Sequence, residues 1–483
     1  MLFHTWAFLL FFLAVYPAYL ALKGTRFRLG WLLASSYFFY ACFHPLYPVL
    51  ILYSTVLDYL VVVMMERWGR RKILLSISIV NNIALLGFFK YGAFVIDSLN
   101  ALGARLGLAH EIPYPNLAFV SDSINALLSQ LGLAYSLPPL TFLLPVGISF
   151  YIFQSMSYTI DFYRGNIERE KSFVAYAAFV SLFPRLLAGP IERAKNLLPQ
   201  MHTPAKISKQ DITDGLSLFV VGFFKKVALA DYLALYVKQV YDAPDQFQSP
   251  ALILATFLFS WQIYFDFSGY TDMARGVARM MGLRLMLNFN NPYLASSLGE
   301  FWSRWHISLS SWFKDYVYIP LGGNRRGTFN TYRNMFLTMV ISGLWHGAAW
   351  TFVIWGAVHA LGRVLTREME RTSFYREKVP RLLKQLLVFG FVTFAWIFFR
   401  AGSIGDAWTI IVRIFSAGFM NPYCPLLALV FVLLIWLYQF VYESRVKLIL
   451  QFVPVRIAMV VLMILYLSVF APSGEQAFIY LQF

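Results

Sequence analysis

Apolar runs recur along the chain, separated by short polar loops. A helix needs roughly 18 to 20 such residues to cross the hydrocarbon core of a bilayer. The candidate spans are 5–22, 29–43, 49–64, 73–99, 139–158, 173–188, 216–237, 251–267, 335–361, 383–399, 425–441 and 457–470, with a weaker run at 407–417. The pattern predicts an all-α polytopic membrane protein of roughly ten to twelve crossings, some of them re-entrant. The basic loops KGTRFR (23–28) and RWGRRK (67–72) set the orientation. Both are expected on the cytoplasmic side, which puts the N-terminus outside. The stretch 101–140, with Arg105 its one strong base, reads as an outer loop. Run 173–188 lies between two basic loops, so a single crossing there would break the pattern. It is expected to be re-entrant or interfacial, broken at Pro184.

One part of the chain departs from this rhythm. Between about Tyr264 and Gly327 the apolar pattern is interrupted by DFSGYTD, NFNNPY and EFWSRWHISLSSWFKDYVYIPLGGNRRG. Irregular polar backbone at membrane depth is tolerated only where it is buried in protein or lines a wet cavity. The flanks therefore read as scaffold and 264–364 as the core of a site, within a single membrane domain covering 1–483.

Composition sharpens this. The 483 residues are 59% hydrophobic and only 13% charged, about half the charged share of an ordinary soluble protein. The net charge of +16 would suggest nucleic acid in a soluble chain. Here Lys and Arg sit in short loops beside apolar runs, as the positive-inside bias requires, so no nucleic-acid partner is expected. The two cysteines, Cys42 and Cys424, imply neither a disulfide framework nor a zinc site, and no metal is expected. No basic segment precedes the first run, which reads as a retained span rather than a signal peptide.

The segment SGLWHGAAWTFVIWGAVHA (342–360) contains no Asp, Glu, Lys or Arg, yet holds His346 and His359. An ionisable side chain inside a membrane segment is costly unless it faces an interior or a wet cavity. Imidazole suits general-base work near neutral pH, and burial favours its neutral form. The alternative for His346 is a structural histidine bonded to a backbone carbonyl. Gly343 and Gly347 beside it permit close approach by another helix or by a thin acyl chain. In a continuous helix His359 lies about 220° around from His346, which assigns His346 to a cavity and His359 to packing or the interface. His306, in RWHISLSSWFKDY, is a second candidate proton carrier. Arg304 and Lys314 could meet donor phosphates or snorkel to headgroups. Asp266, Asp272, Asp161 and Arg164 read as structural ion pairs or helix-end contacts. LGGNRRG lacks the lysine and hydroxyl residue of a P-loop.

Taken together, LLPVGISFYIFQSMSYTIDFYRG, FPRLLAGPIER, FVVGFFKKVALAD, IYFDFSGYTDMARG, the block 288–327, YRNMFLTMVISGLWHGAAWTFVIWGAVHA and the closing FIYLQF resemble the membrane-bound O-acyltransferase superfamily. The resemblance is to its branch of alginate, peptidoglycan and cellulose acetylation. It runs from about Leu143 to the C-terminus, more loosely after Leu365. It implies a multi-helix disc with cytoplasmic and outer funnels joined by a tunnel. The family's WHG histidine falls on His346 and that of its RWHISLS pattern on His306. Arg185 stands where the pattern would have His.

The resemblance further implies a bacterial inner-membrane enzyme with no resident cofactor. It would take an acyl group from a cytoplasmic thioester such as acetyl-CoA and pass it across the membrane, often to a separate outer acetyltransferase. His346 and His306 are the expected catalytic residues. Arg304, Trp305, Lys314, Asp315, Trp345 and Gly347 are the expected substrate or tunnel residues. D-alanyl transfer to teichoic acid and a long-chain lipid acyltransferase are rivals within the superfamily. A transporter or flippase with a proton-relay histidine is the rival from another class.

Overall fold

The computed structural model describes residues 1–108, 111–140, 145–203, 206–420, 422–470 and 478–479. The described residues are helical, with no strand among them. They form two compact units, one of Met1–Ile207 with Met281–Arg284, the other of Ser208–Met280 with Leu285–Phe483.

The first unit holds α1 (Trp6–Leu22), α2 (Arg28–Ala41), α3 (Tyr47–Trp68), α4 (Arg71–Leu86), α5 (Gly92–Arg105), α6 (Ala118–Gln130), α7 (Ile148–Tyr163), α8 (Phe173–Ser181), α9 (Phe183–Leu186) and α10 (Ala194–His202). A wide helical turn at Gly87–Tyr91 joins α4 to α5, making one helical run of 35 residues, Arg71–Arg105. The run 173–188 breaks at Leu182 (ψ 110°), and α9 restarts with Pro184 in its first turn, where a proline's missing N–H has no helical partner to lose. It is not interfacial: Tyr176 to Leu186 are buried inside this unit. The stretch 101–140 is not all loop, since α6 lies within it.

The second unit holds α11 (Lys209–Phe224), α12 (Asp231–Tyr241), α13 (Ser249–Met280), α14 (Leu298–Arg304), α15 (Ile307–Phe313), α16 (Gly327–His346), α17 (Trp350–Arg371), α18 (Arg381–Arg400), α19 (Ile404–Ser416), α20 (Leu426–Glu443), α21 (Lys447–Gln451) and α22 (Val453–Phe470). Ser208 and Asp211 form a capping box that starts α11. Its glycines let α11 lie against α13 almost backbone to backbone. A Cβ on Gly222 would stand 2.5 Å from the Gly269 carbonyl oxygen, and one on Gly215 2.8 Å from that of Gly276. Behind this seam Lys226 Nζ is buried between Asp231 Oδ1 (2.7 Å) and Asp266 Oδ1 (2.8 Å). Lys225 Nζ meets Asp272 Oδ2 at 2.7 Å. Asp266 and Asp272 are thus ion-paired, as read from sequence, but in mid-helix rather than at a helix end.

Five described helices are long and apolar enough to cross a membrane: Tyr47–Trp68, Arg71–Arg105, Ser249–Met280, Arg381–Arg400 and Leu426–Glu443. The chain is a multi-pass membrane protein. The count is below ten to twelve because several apolar runs form helices shorter than 18 residues, such as Trp6–Leu22 and Ile148–Tyr163, and others are divided, of which the run 335–361 is the instructive case. It is two helices, α16 and α17, with the chain extended at Gly347–Ala349 between them. Of the closing FIYLQF, only Phe478 and Ile479 are among the described residues, as are residues 145–165 of LLPVGISFYIFQSMSYTIDFYRG; the remainder of each motif lies outside.

Candidate active site

The α16–α17 hairpin is built by glycine. A Cβ on Gly343 would stand 2.2 Å from the Phe352 carbonyl oxygen, and one on Gly356 2.4 Å from that of Met339. The close approach at Gly343 is therefore to another helix, not to an acyl chain. His346 is the last residue of α16, and the Gly347 N–H closes the helix on the Gly343 carbonyl at 3.3 Å. Gly347 is required by space. Its Cβ would lie 1.9 Å from the Phe352 ring.

The turn also overturns the expected separation of the two histidines, which assumed a continuous helix. Trp355 lies between them, its ring 5.0 Å from His346 and 4.7 Å from His359. His359 is fully buried among Phe301, Trp302, Trp355, Phe391 and Trp396. Packing was the right role for it, and the interface the wrong place.

His306 precedes α15 with left-handed backbone (φ 42°), a strained geometry for a residue other than glycine. Its neighbours fix it there. Ile307 N–H donates to the Asn288 carbonyl (2.9 Å), Asn290 N–H to the Arg304 carbonyl (2.9 Å), and the Ser308 hydroxyl to Asn288 Oδ1 (2.9 Å). NFNNPY is therefore the brace of the RWHIS turn. His306 is fully buried, with Phe267 edge-on at 4.6 Å and Phe289 stacked at 6.3 Å. Burial pushes its imidazole down to about 3, so the ring is neutral. The His306 and His346 ring centres are 6.4 Å apart, and Trp345 touches both, at 5.9 and 5.1 Å. Phe399 closes another side of His346 at 5.4 Å.

The remaining sequence candidates separate. Trp305 is fully buried, packed on Phe289, Phe301 and Trp396. Arg304 does not present a free guanidinium. It is paired to Glu300 (2.8 Å) and to Glu443. Burial alone would raise the Glu300 carboxyl, but the Ser296 N–H and hydroxyl and the Arg304 guanidinium hold it below the usual range. Lys314 is exposed and lines a cavity of about 280 Å³, with Arg363 and Arg367 of α17 adding two more cations. The same cavity is lined by Trp302 and by Ser342, one helical turn before His346. Asp315 is half-buried and is not among its lining residues. Sequence reading missed Trp355, Trp396, Phe399 and the brace at Asn288. Asn288 stood in a quoted motif, whereas Trp396 and Phe399 lie outside 264–364 and carry no local mark of a site.

The two histidines are thus buried together beside the break between α16 and α17, ringed by tryptophan and phenylalanine. Residues 143–404 match the family described as MBOAT, membrane-bound O-acyltransferase family, and the chain belongs to it. The chain is an O-acyltransferase. It is 39% identical over 429 residues to "Probable alginate O-acetylase AlgI" of Pseudomonas putida, covering 86% of this chain and 81% of that one. The protein of the same name in Pseudomonas aeruginosa is 40% identical, covering 86% and 75%. The "Peptidoglycan O-acetyltransferase" of Helicobacter pylori is 33% identical over 442 residues, covering 84% and 78%.

Proposed function

We propose that this chain is an O-acetyltransferase of the bacterial cytoplasmic membrane, serving an extracellular polysaccharide or cell-wall glycan. It takes an acetyl group from a cytoplasmic thioester such as acetyl-CoA and passes it across the membrane. A separate outer acetyltransferase receives it where the final glycan ester is made outside. The observation that carries this reading is the His306–His346 pair, sealed by aromatic rings one helical turn from a cavity lined by three cations.

The chemistry follows from that geometry. Lys314 and Arg367 suit the phosphates of a nucleotide-bearing thioester, with Arg363, held only at 3.9 Å by Glu370, beside them. Only the neutral acetyl group needs to reach membrane depth. His346 takes the proton of the acceptor hydroxyl as its oxygen attacks the acetyl carbonyl. The carbon–sulfur bond breaks, and the thiolate leaves with the proton that His346 returns. His306, neutral and held by Asn288, orients or relays that proton. Trp345, Trp355 and Phe399 exclude water, which would otherwise hydrolyse the thioester. Arg304 has no part in donor binding on this account, because carboxylates occupy it.

Inside-out vesicles carrying the chain, together with its outer acceptor system, test this. With labelled acetyl-CoA we expect free thiol to appear in step with alkali-labile acetyl ester. Thiol release without ester, or preference for a D-alanyl or long-chain donor, would overturn the assignment.

A further inference from the structure

A second and larger cavity, of about 630 Å³, shares no lining residue with the Lys314 cavity. It lies between α11, α13, α20 and α22, and its lining combines cations with apolar side chains. Arg279, in the last turn of α13, donates to Asp214 of α11 (2.7 Å), and Arg456, in the first turn of α22, reaches the same carboxylate (3.0 Å). One turn further along α13, Arg275 shares Asp272 with Lys225 (3.3 and 2.7 Å). Asp211 stands 3.6 Å from Arg279 Nε. Among these described groups four cations face three carboxylates. Between Arg279 and Lys225 the lining is largely apolar, with Leu218, Val221 and Phe224 of α11 and Met459 and Met463 of α22.

Depth and access fit one kind of occupant. Arg279 sits at the end of α13 and Arg456 at the beginning of α22, both on Asp214 near the beginning of α11 and next to the basic loops that mark the inner side, while the Lys225–Asp272 pair lies deeper, past the end of α11. The apolar lining continues from there into the membrane. The outer faces of α20 and α22 are open to lipid: Leu433, Leu437, Leu462 and Leu465 are exposed. We propose that this cavity holds one anionic phospholipid of the inner leaflet. Its phosphate meets Arg275, Arg279 and Arg456, whose planar forks suit phosphate oxygens. One acyl chain runs along Val221, Met459 and Met463, since methionine adapts readily to a flexible chain. The site is independent of the acetyl-transfer reading.

Native mass spectrometry of the purified full chain tests it, with added phosphatidylglycerol against phosphatidylcholine. One phosphatidylglycerol should be retained in preference. Arg456→Gln should weaken that retention roughly fivefold, about the effect of one cation near a headgroup. Met463→Trp, which fills the chain channel and leaves every charge in place, should weaken it too. Elution profile and thermal unfolding verify that both variants fold. Equal retention of the two lipids would overturn the proposal. So would unchanged retention in both variants, or displacement of the lipid by coenzyme A at equal concentration.

Discussion

Both units bury titratable side chains, and Asp58 of the first and the histidines His306 and His346 of the second are treated in opposite ways. In the first unit Asp58 of α3 is fully buried and its carboxylate is saturated. It accepts from the Ser78 hydroxyl (2.6 Å), from Asn82 Nδ2 (2.9 and 3.1 Å) and from Ser155, which is itself tied to the Tyr176 hydroxyl (2.8 Å). Those partners come from α4, α7 and α8, so one carboxylate knits four helices. In the second unit the buried histidines are bounded by rings: Phe267, Phe289 and Trp345 around His306, and Trp345, Trp355 and Phe399 around His346. A group surrounded by fixed donors is a fastener. A group bounded by aromatic rings is dry and placed, which suits the proposed base that takes a hydroxyl proton beside a thioester.

The contrast can be broken by substitution. His346→Ala should cut ester formation by about 10² to 10⁴, the usual worth of a positioned general base, with membrane abundance unchanged. Asp58→Ala should do the reverse. It strands Ser78, Asn82 and Ser155 at about 1 to 3 kcal/mol for each group left unsatisfied. Thermal stability and abundance should fall, while activity per folded molecule holds. If Asp58→Ala instead silenced a fully folded protein, the division between fastener and site would fail.

Smaller effects sharpen the same line. Gly347→Ala drives a methyl into the Phe352 ring and should shift His346, lowering turnover by about 10²; Phe352→Leu should restore part of it. Lys314→Gln should raise KM for a nucleotide thioester about threefold, with kcat unchanged, because Lys314 is exposed and screened. His306 gives a pH signature. Its folded imidazole stays neutral down to about 3, while in the unfolded chain it takes up a proton below its ordinary value of about 6.5. Its contribution to stability is complete above pH 6.5 and is lost as pH falls from there towards 3. His306→Phe should flatten that part of the stability profile.

The sequence already made the membrane class, the helical architecture and the two histidines legible, because hydrophobic run length and a histidine in an uncharged segment are local signals. The hairpin was hidden for the same reason. Nothing in the apolar run 335–361 marks a turn except its glycines, Gly343, Gly347 and Gly356, and glycine inside a helical pattern is ambiguous. Only packing, Gly343 against Phe352 and Gly356 against Met339, shows that the run doubles back. Long-range partners were equally out of reach. Glu443 occupies Arg304 from 139 positions away, so a motif arginine that reads as a phosphate ligand is a strut. Phe399 and Trp396 join the site from α18, beyond the segment whose composition announced it.

The central claim is that His346 performs acyl transfer. The most direct measurement is the O-acetyl ester content of surface glycans in a strain lacking this chain, complemented with wild type or with His346→Ala at matched membrane abundance. The account predicts esters restored by wild type alone. Equal restoration by both would contradict it, removing His346 from the chemistry.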